Sequence, residues 1–589
     1  MKMFRQLIQT LLLTGGTLLS AAPASRIADG SGKNLTFGNG GIAKLQQIGD
    51  IGTPPVPAYR VTVSGPTRNP WDAQLRATAT GPVKANDAGV IEIRARSLSG
   101  SGKLEVLFEQ NTPPHTKFGL YLIDLSPEWK LYRLYWRCKE GSFAPGETQV
   151  GINLGHGKQE FEFAGLQVLN YGSSPDPASL ELTKFTYAGR DPDAPWRKAA
   201  EERIEKLRKG DFQLKLTRAD GTPLTGVPVR VALKRHRFPF GSAININSFH
   251  RNDADGERYR REFPRWFNQA VPEIALKWHR NGGWVYHDRI RKLFDYLEAN
   301  RIPVRGHNLI WPSFNYSPAW LELLREHPEA MRQVIRDHIY YEASVVKEHV
   351  VEFDVMNESQ TNHEFMDILG ESVMTEWYRT AREAAPGLPL YMNDFEILTF
   401  GNNGWNEPGN PPHIYHETIA KMLREGAPIG GIGMQGHFNE TVLTEPETML
   451  RILDHFSEFR LPIKLTEFDL KTRDEELEAD YMRDVMTVFF SHPQGAGFLM
   501  WGFWNGDHYA GLAPIFRKDW SLKPAGEMFR RQVFEVWSTR LEGKTDGDGI
   551  FSGRGFYGEY ELEADLDGRT VRNIFVLEPG KGSLNIPLR

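Results

Sequence analysis

The residues with the clearest capacity for chemistry are two glutamates, Glu358 and Glu467. Glu358 comes near the end of VEFDVMNES, an apolar run with Val351, Phe353, Val355 and Met356 that turns abruptly polar at Asn357, Glu358 and Ser359. Glu467 comes late in LPIKLTEFD, which starts at Leu461. Short apolar runs of this kind read as buried strands, and an acid at a strand end is costly to bury without a partner or a use. Nothing local neutralises either glutamate. If the two carboxyl groups converge, they supply what glycoside cleavage needs: one carboxyl kept protonated as acid, the other kept ionised as nucleophile.

Convergence requires a scaffold, and the surrounding sequence specifies one. From Phe238 to about Val536, strand candidates alternate with helical stretches. The strands are FPFGSAIN from Phe238, QAVPEIALK from Gln269, VRGHNLIW from Val304, VEFDVMNE from Val351, LPLYMNDF from Leu388, GIGMQGHF from Gly431, LPIKLTEFD from Leu461 and AGFLMWGFW from Ala496. Eight strands separated by helices have the count and size of a (β/α)8 TIM barrel, in which the C-terminal strand ends carry the chemistry. Those ends hold, in order, Asn245; Glu273, Lys277 and Trp278; His307, Asn308 and Trp311; Asn357 and Glu358; Asn393 and Asp394; Gln435 and His437; Glu467 and Asp469; Trp501 and Trp504. Strands four and seven face each other across a barrel mouth, so Glu358 and Glu467 are placed to meet.

The flanks are β-rich. Residues 30–190 read as an antiparallel β-sandwich or jelly roll, from alternating runs such as YRVTVSG, VIEIRARSL, KLEVLFEQ and KLYRLYWRC. WDAQL at Trp71, EWKLYRLYW at Glu128 and LQVLNYG at Leu166 resemble carbohydrate-binding modules, although most of Trp71, Trp129, Tyr135 and Trp136 are expected in the core. Residues 191–237 read as a linker helix followed by a hairpin around Gly221 and Gly226. The last segment, 537–589, is strand-like and is expected to pack with 211–237 into a small accessory β unit, since neither is large enough to stand alone.

The chain has 589 residues, a quarter of them charged, and a net charge of −5, so there is no basic field for nucleic acid and no polybasic membrane patch. Aromatics make up 12 %, with 15 Trp. Residues 1–24, with Lys2 and Arg5 before an apolar stretch and Ala22-Pro23-Ala24 after it, read as a secretory signal peptide. Secretion or export to a periplasm is the corresponding expectation. Cys138 is the only cysteine, so no intrachain disulfide is possible. No cofactor or metal is expected: His413 and His416 lack a third ligand nearby and read as a surface pair. GNNGWNEPGNPP from Gly401 reads as a loop after strand five, without phosphate-loop spacing.

FNQAVPEIALKW, RGHNLIW, VEFDVMNE, LYMNDFE, GIGMQGHF, LPIKLTEFDL and LMWGFW, in this order, resemble glycoside hydrolase family 10, retaining endo-β-1,4-xylanases on a (β/α)8 barrel. RIEKLRKGDFQLKL, FPFGSAIN and RGFYGEYEL resemble its plant-type branch. The resemblance implies Glu358 as acid/base and Glu467 as nucleophile. It implies that Asn357 bonds the sugar 2-hydroxyl, that His437 orients the nucleophile, and that Gln435 stands beside the acid/base. Glu273, Lys277 and His307 are implied sugar-binding residues, Trp501 a platform under the sugar and Trp504 a second platform. The implied partner is xylan, bound by a monomer; a related β-1,4-glucan substrate or a catalytically weak xylan-binding barrel are the alternatives. Two positions depart from the family pattern: Ile274 where many members have Asn, and Pro312 where many have His.

Overall fold

The computed structural model describes residues 24–173, 175, 177–278, 287–400, 404–566 and 568–588. The signal-peptide expectation, and the start of the Gly401 loop, lie outside these residues. The chain divides into two compact units between Phe185 and Thr186.

The first unit is a sandwich of two antiparallel sheets. One runs Ala43–Ile51, Val56–Val63, Gln159–Ser173, Asp87–Gly100, Lys130–Arg137, with Ser25–Asp29 paired to Gln159–Ser173. The other runs Thr36–Gly38, Gln74–Thr78, Thr148–Asn153, Lys103–Gln110, Lys117–Asp124. Alternation along each strand sends Val61, Ile91 and Phe161 of one sheet and Leu75, Val106, Phe108 and Val150 of the other into one shared core. Trp136 and Tyr135 are buried, whereas Trp71 is exposed.

The second unit is built around eight parallel strands: β1 (Phe240–Ile244), β2 (Ala270–Pro272), β3 (Arg305–Ile310), β4 (Glu352–Asn357), β5 (Leu390–Asp394), β6 (Gly431–Asn439), β7 (Ile463–Lys471) and β8 (Gly495–Met500). They pair in the order β2-β1-β8-β7-β6-β5-β4-β3, and a bridge between Ala270 and Val304 joins the two ends into a barrel. Strands β3, β4 and β5 are buried throughout, because a barrel strand has helices on one side and the barrel interior on the other. The floor of the barrel is ionic. Lys464 and Arg305 both pair with Glu352, and Arg305 also pairs with Asp354, all four side chains being buried.

Three features differ from the sequence expectation. The helix Pro195–Leu207 is not a free linker: Arg197 pairs with Asp484 at 2.6 Å, and Arg208 donates to the carbonyls of Phe490, His492 and Gly495. Tyr187 also donates to Asp484 at 2.7 Å, so the stretch just after the boundary is held to this unit. The expected hairpin does not form. Lys209–Thr217 pairs with Ile550–Phe556 and Ser583–Pro587, while Pro228–His236 pairs with Arg540–Lys544 and Gly558–Leu566, in separate sheets over one core. Finally, His416 is buried, stacked on His455 at 3.9 Å with its Nε2 2.8 Å from Glu458, and is not part of a surface pair.

Candidate active site

Strand pleating alone does not bring the two glutamates into one mouth. Glu352 and Asp354 of β4 face the barrel interior, so strict alternation would turn Asn357 outward. A register shift between Asp354 and Met356 in the β4–β5 pairing changes that parity. The backbone at Glu358 then takes φ +55, a left-handed conformation that costs a non-glycine residue on the order of 1 kcal/mol or more. The Glu358 amide donates to the Asn393 carbonyl at 2.9 Å, which helps fix this turn. Across the mouth, a shift between Met434 and Gln435 sets Gln435 opposite Glu467 and His437 opposite Asp469.

The result is one open pocket at the C-terminal mouth. Glu273, Lys277, His307, Asn357, Glu358, Gln435, His437, Glu467 and Trp501 line it, together with Trp311, Phe395 and Tyr509. Gln435 Nε2 donates to Glu358 Oε1 at 2.9 Å. Asn393 Nδ2 donates to Asn357 Oδ1 at 2.9 Å and to Glu467 Oε1 at 2.8 Å, while its Oδ1 accepts from Thr466 at 2.7 Å. Gly433 makes room for this amide, since a Cβ there would lie 2.5 Å from Asn393 Oδ1. Glu273 accepts from Asn245 at 2.7 Å.

The two carboxyl groups are shifted in opposite directions. Burial holds Glu358 above the ordinary glutamate range, and the charge of Glu467 adds to this against the Gln435 hydrogen bond. Glu467 is also buried, yet it lies below the ordinary range, because the His437 hydrogen bond and the charges of His307, His437 and Lys277 outweigh desolvation. His437 is pushed up to about 10 despite its own burial, by Asp469 first and then by Glu467. It is therefore a cation clamped between two carboxylates at neutral pH. One group prepared to give a proton and one prepared to attack is the arrangement that acid-assisted displacement requires.

The structure places one of the sequence-derived residues differently from expectation. Trp504 is only 1 % exposed, lies flat on Trp520 at 4.6 Å and donates its N–H to the Lys518 carbonyl at 3.2 Å. It is core, not a platform, because the chain turns between Trp501 and Trp504. His307 is 2 % exposed and bonds Asp354 through Nδ1 at 2.9 Å, with Nε2 4.0 Å from Glu467. It lines the pocket beside the nucleophile, as buried as Asn357 and Glu467. Tyr509 is absent from the sequence reading, and Asn393 enters it only as a strand-end residue without a role. Tyr509 lies on an irregular loop with no periodicity to mark it, but Asn393 stands at a strand end, where the strand-end rule already pointed. Among the described residues, no group of three or more His, Cys, Asp and Glu side chains is arranged to hold a metal ion.

Residues 229–531 match the family model described as Glycosyl hydrolase family 10. The chain belongs to glycosyl hydrolase family 10. The chain is similar to "Anti-sigma-I factor RsgI6" of Acetivibrio thermocellus, 32 % identical over 399 residues, covering 67 % of this chain and 50 % of that protein. "Endo-1,4-beta-xylanase 1" of Arabidopsis thaliana is 28 % identical over 370 residues, covering 62 % of this chain and 37 % of that one. The chain thus spans half or less of the length of these two relatives. Among solved structures, xylanase 10B from Thermotoga maritima is 23 % identical with a TM-score of 0.45, covering 51 % of this chain and 95 % of that one.

Proposed function

We propose that the chain is a retaining endo-β-1,4-xylanase. The observation that carries this reading is the pair Glu358 and Glu467, lining one pocket with oppositely shifted carboxyl groups. The similarity to proteins named endo-1,4-beta-xylanases supports the substrate class.

In this reading, Glu467 attacks the anomeric carbon as Glu358 donates its proton to the glycosidic oxygen. The C–O bond to the leaving sugar breaks and an ester bond to Glu467 forms. Glu358, now ionised, takes a proton from water, whose oxygen attacks the same carbon and frees the Glu467 carboxylate. Two inversions give net retention. In the same reading Asn357, held by Asn393, bonds the sugar hydroxyl next to the reacting carbon, an interaction that gains strength as positive charge develops there. Export through the N-terminal stretch and sugar binding by the sandwich, where Trp71 is exposed, belong to the same proposal.

Following the anomeric configuration of products from xylan by NMR tests it. Initial release of β-anomers is expected, and initial release of α-anomers contradicts retention. Equal or greater reducing-sugar release from β-1,4-glucan would move the substrate assignment to glucan. A second reading, a barrel that binds xylan without cutting it, draws on Ile274 and on the relative named as an anti-sigma factor. Tight xylan binding with no hydrolysis would favour it.

A further inference from the structure

The segment following β3 begins with Trp311, which lines the pocket, and is not used by the chemistry above. Tyr316 lies flat on Trp311, with ring centroids 3.7 Å apart and planes 8° apart. Lys277 Nζ sits 5.0 Å from the Trp311 ring centre and 5.5 Å from that of Trp501. Since Tyr316 covers one face of Trp311, the lysine occupies the other. The four side chains form a continuous stack, Trp501–Lys277–Trp311–Tyr316, that starts in the pocket and ends at an open ring: Tyr316 is 44 % exposed.

The turn that carries this ring is held in place. Ser313 Oγ and the Phe314 amide both donate to Glu364 Oε2, at 2.6 and 3.1 Å, and the Arg325 guanidinium covers Phe314 at 4.5 Å. Scattered exposed aromatics need no explanation. A pinned aromatic face at the end of a stack continuous with a pocket is different, because the C–H face of a pyranose packs on such a ring at little entropic cost.

We propose that Tyr316 is the floor of a further sugar-binding subsite, which takes one pyranose ring of a β-1,4-linked chain extending past Trp311. The proposal rests on the reading of this pocket as a β-1,4-xylan-cleaving site. It assigns a chain-length preference to a segment that no part of the chemistry explains.

The test is kcat/KM for xylo-oligosaccharides of increasing length, on wild type, Tyr316→Ala and Tyr316→Phe. At the length that first reaches Tyr316, wild type is expected to gain about 3- to 10-fold. Tyr316→Ala should lose that gain and match wild type on shorter substrates, and Tyr316→Phe should keep it. An equal loss at every length would make Tyr316 a mere support for Trp311 and would overturn the subsite, as would no loss at any length. If wild type hydrolyses none of these substrates, the xylanase reading is what fails. The subsite is then decided by calorimetry with the longest oligosaccharide, where equal affinity of wild type and Tyr316→Ala overturns it and a 3- to 10-fold weaker Tyr316→Ala supports it. Loss of the length-dependent gain only with aromatic-ester-decorated xylan would replace the pyranose by the ester as occupant.

Discussion

His437 Nε2 lies 3.1 Å from Glu467 Oε2, and the same imidazole reaches Asp469 Oδ2 through Nδ1 at 2.8 Å. Because His437 is protonated up to about pH 10, both ring nitrogens donate, and Glu467 is kept ionised by a charged hydrogen bond. Replacing His437 by Asn therefore moves the acidic limb of the kcat/KM profile to higher pH. The loss at the optimum should be about 10- to 100-fold, what a hydrogen bond to a charged group is worth. An acidic limb unchanged in the variant would mean that His437 does not set the state of Glu467.

Glu358 governs the other limb. Its carboxyl is held up by burial and by the Glu467 charge, so the protonated form persists above the ordinary glutamate range and is lost as pH rises through the shifted value. Glu358→Gln cannot titrate. On an aryl glycoside whose leaving group needs no proton, its alkaline limb should disappear, while xylan hydrolysis falls by about 100-fold or more. An alkaline limb retained in Glu358→Gln would assign that limb to another group.

Trp501 and Trp504 should separate cleanly. Trp504→Ala empties a fully enclosed site against Trp520 and is expected to cost about 3–5 kcal/mol of stability, with KM of the folded protein nearly unchanged. Trp501→Ala should raise KM with a smaller stability loss. Thermal unfolding and steady-state kinetics on both variants check this; a raised KM for Trp504→Ala would return it to the cleft.

That pair also marks what the sequence could and could not disclose. The barrel was legible because eight apolar runs alternate with helical stretches, and the strand ends followed from the architecture. Which of two tryptophans three residues apart faces the pocket depends on a turn that leaves no periodic trace. Likewise, Lys209–Thr217 and Pro228–His236 look like a hairpin locally, but each finds better partners in the C-terminal strands, a long-range choice that local turn residues do not encode. The part Asn393 plays depends on the missing Cβ of Gly433 on the next strand, and that of Tyr509 on its bond to Asp469 at 2.6 Å. Both relations are tertiary.

The barrel floor carries a pH dependence of its own. Glu352 is buried, but Lys464 and Arg305 depress it to about 2. A depressed carboxylate stabilises the fold above its unfolded value, near 4.3, and that contribution is lost as pH falls toward the folded value. The melting-temperature gap between wild type and Glu352→Gln should accordingly shrink between about pH 5 and pH 2. A gap constant over that range would show that the floor ion pairs do not contribute to acid stability.

The most direct measurement is reducing-sugar release from xylan by Glu467→Ala, in a preparation whose circular dichroism and melting temperature match a folded protein. The expected result is a fall of more than about a thousandfold relative to wild type, as for the loss of a covalent nucleophile. Activity near that of wild type would contradict the assignment of Glu467 and, with it, the proposed mechanism.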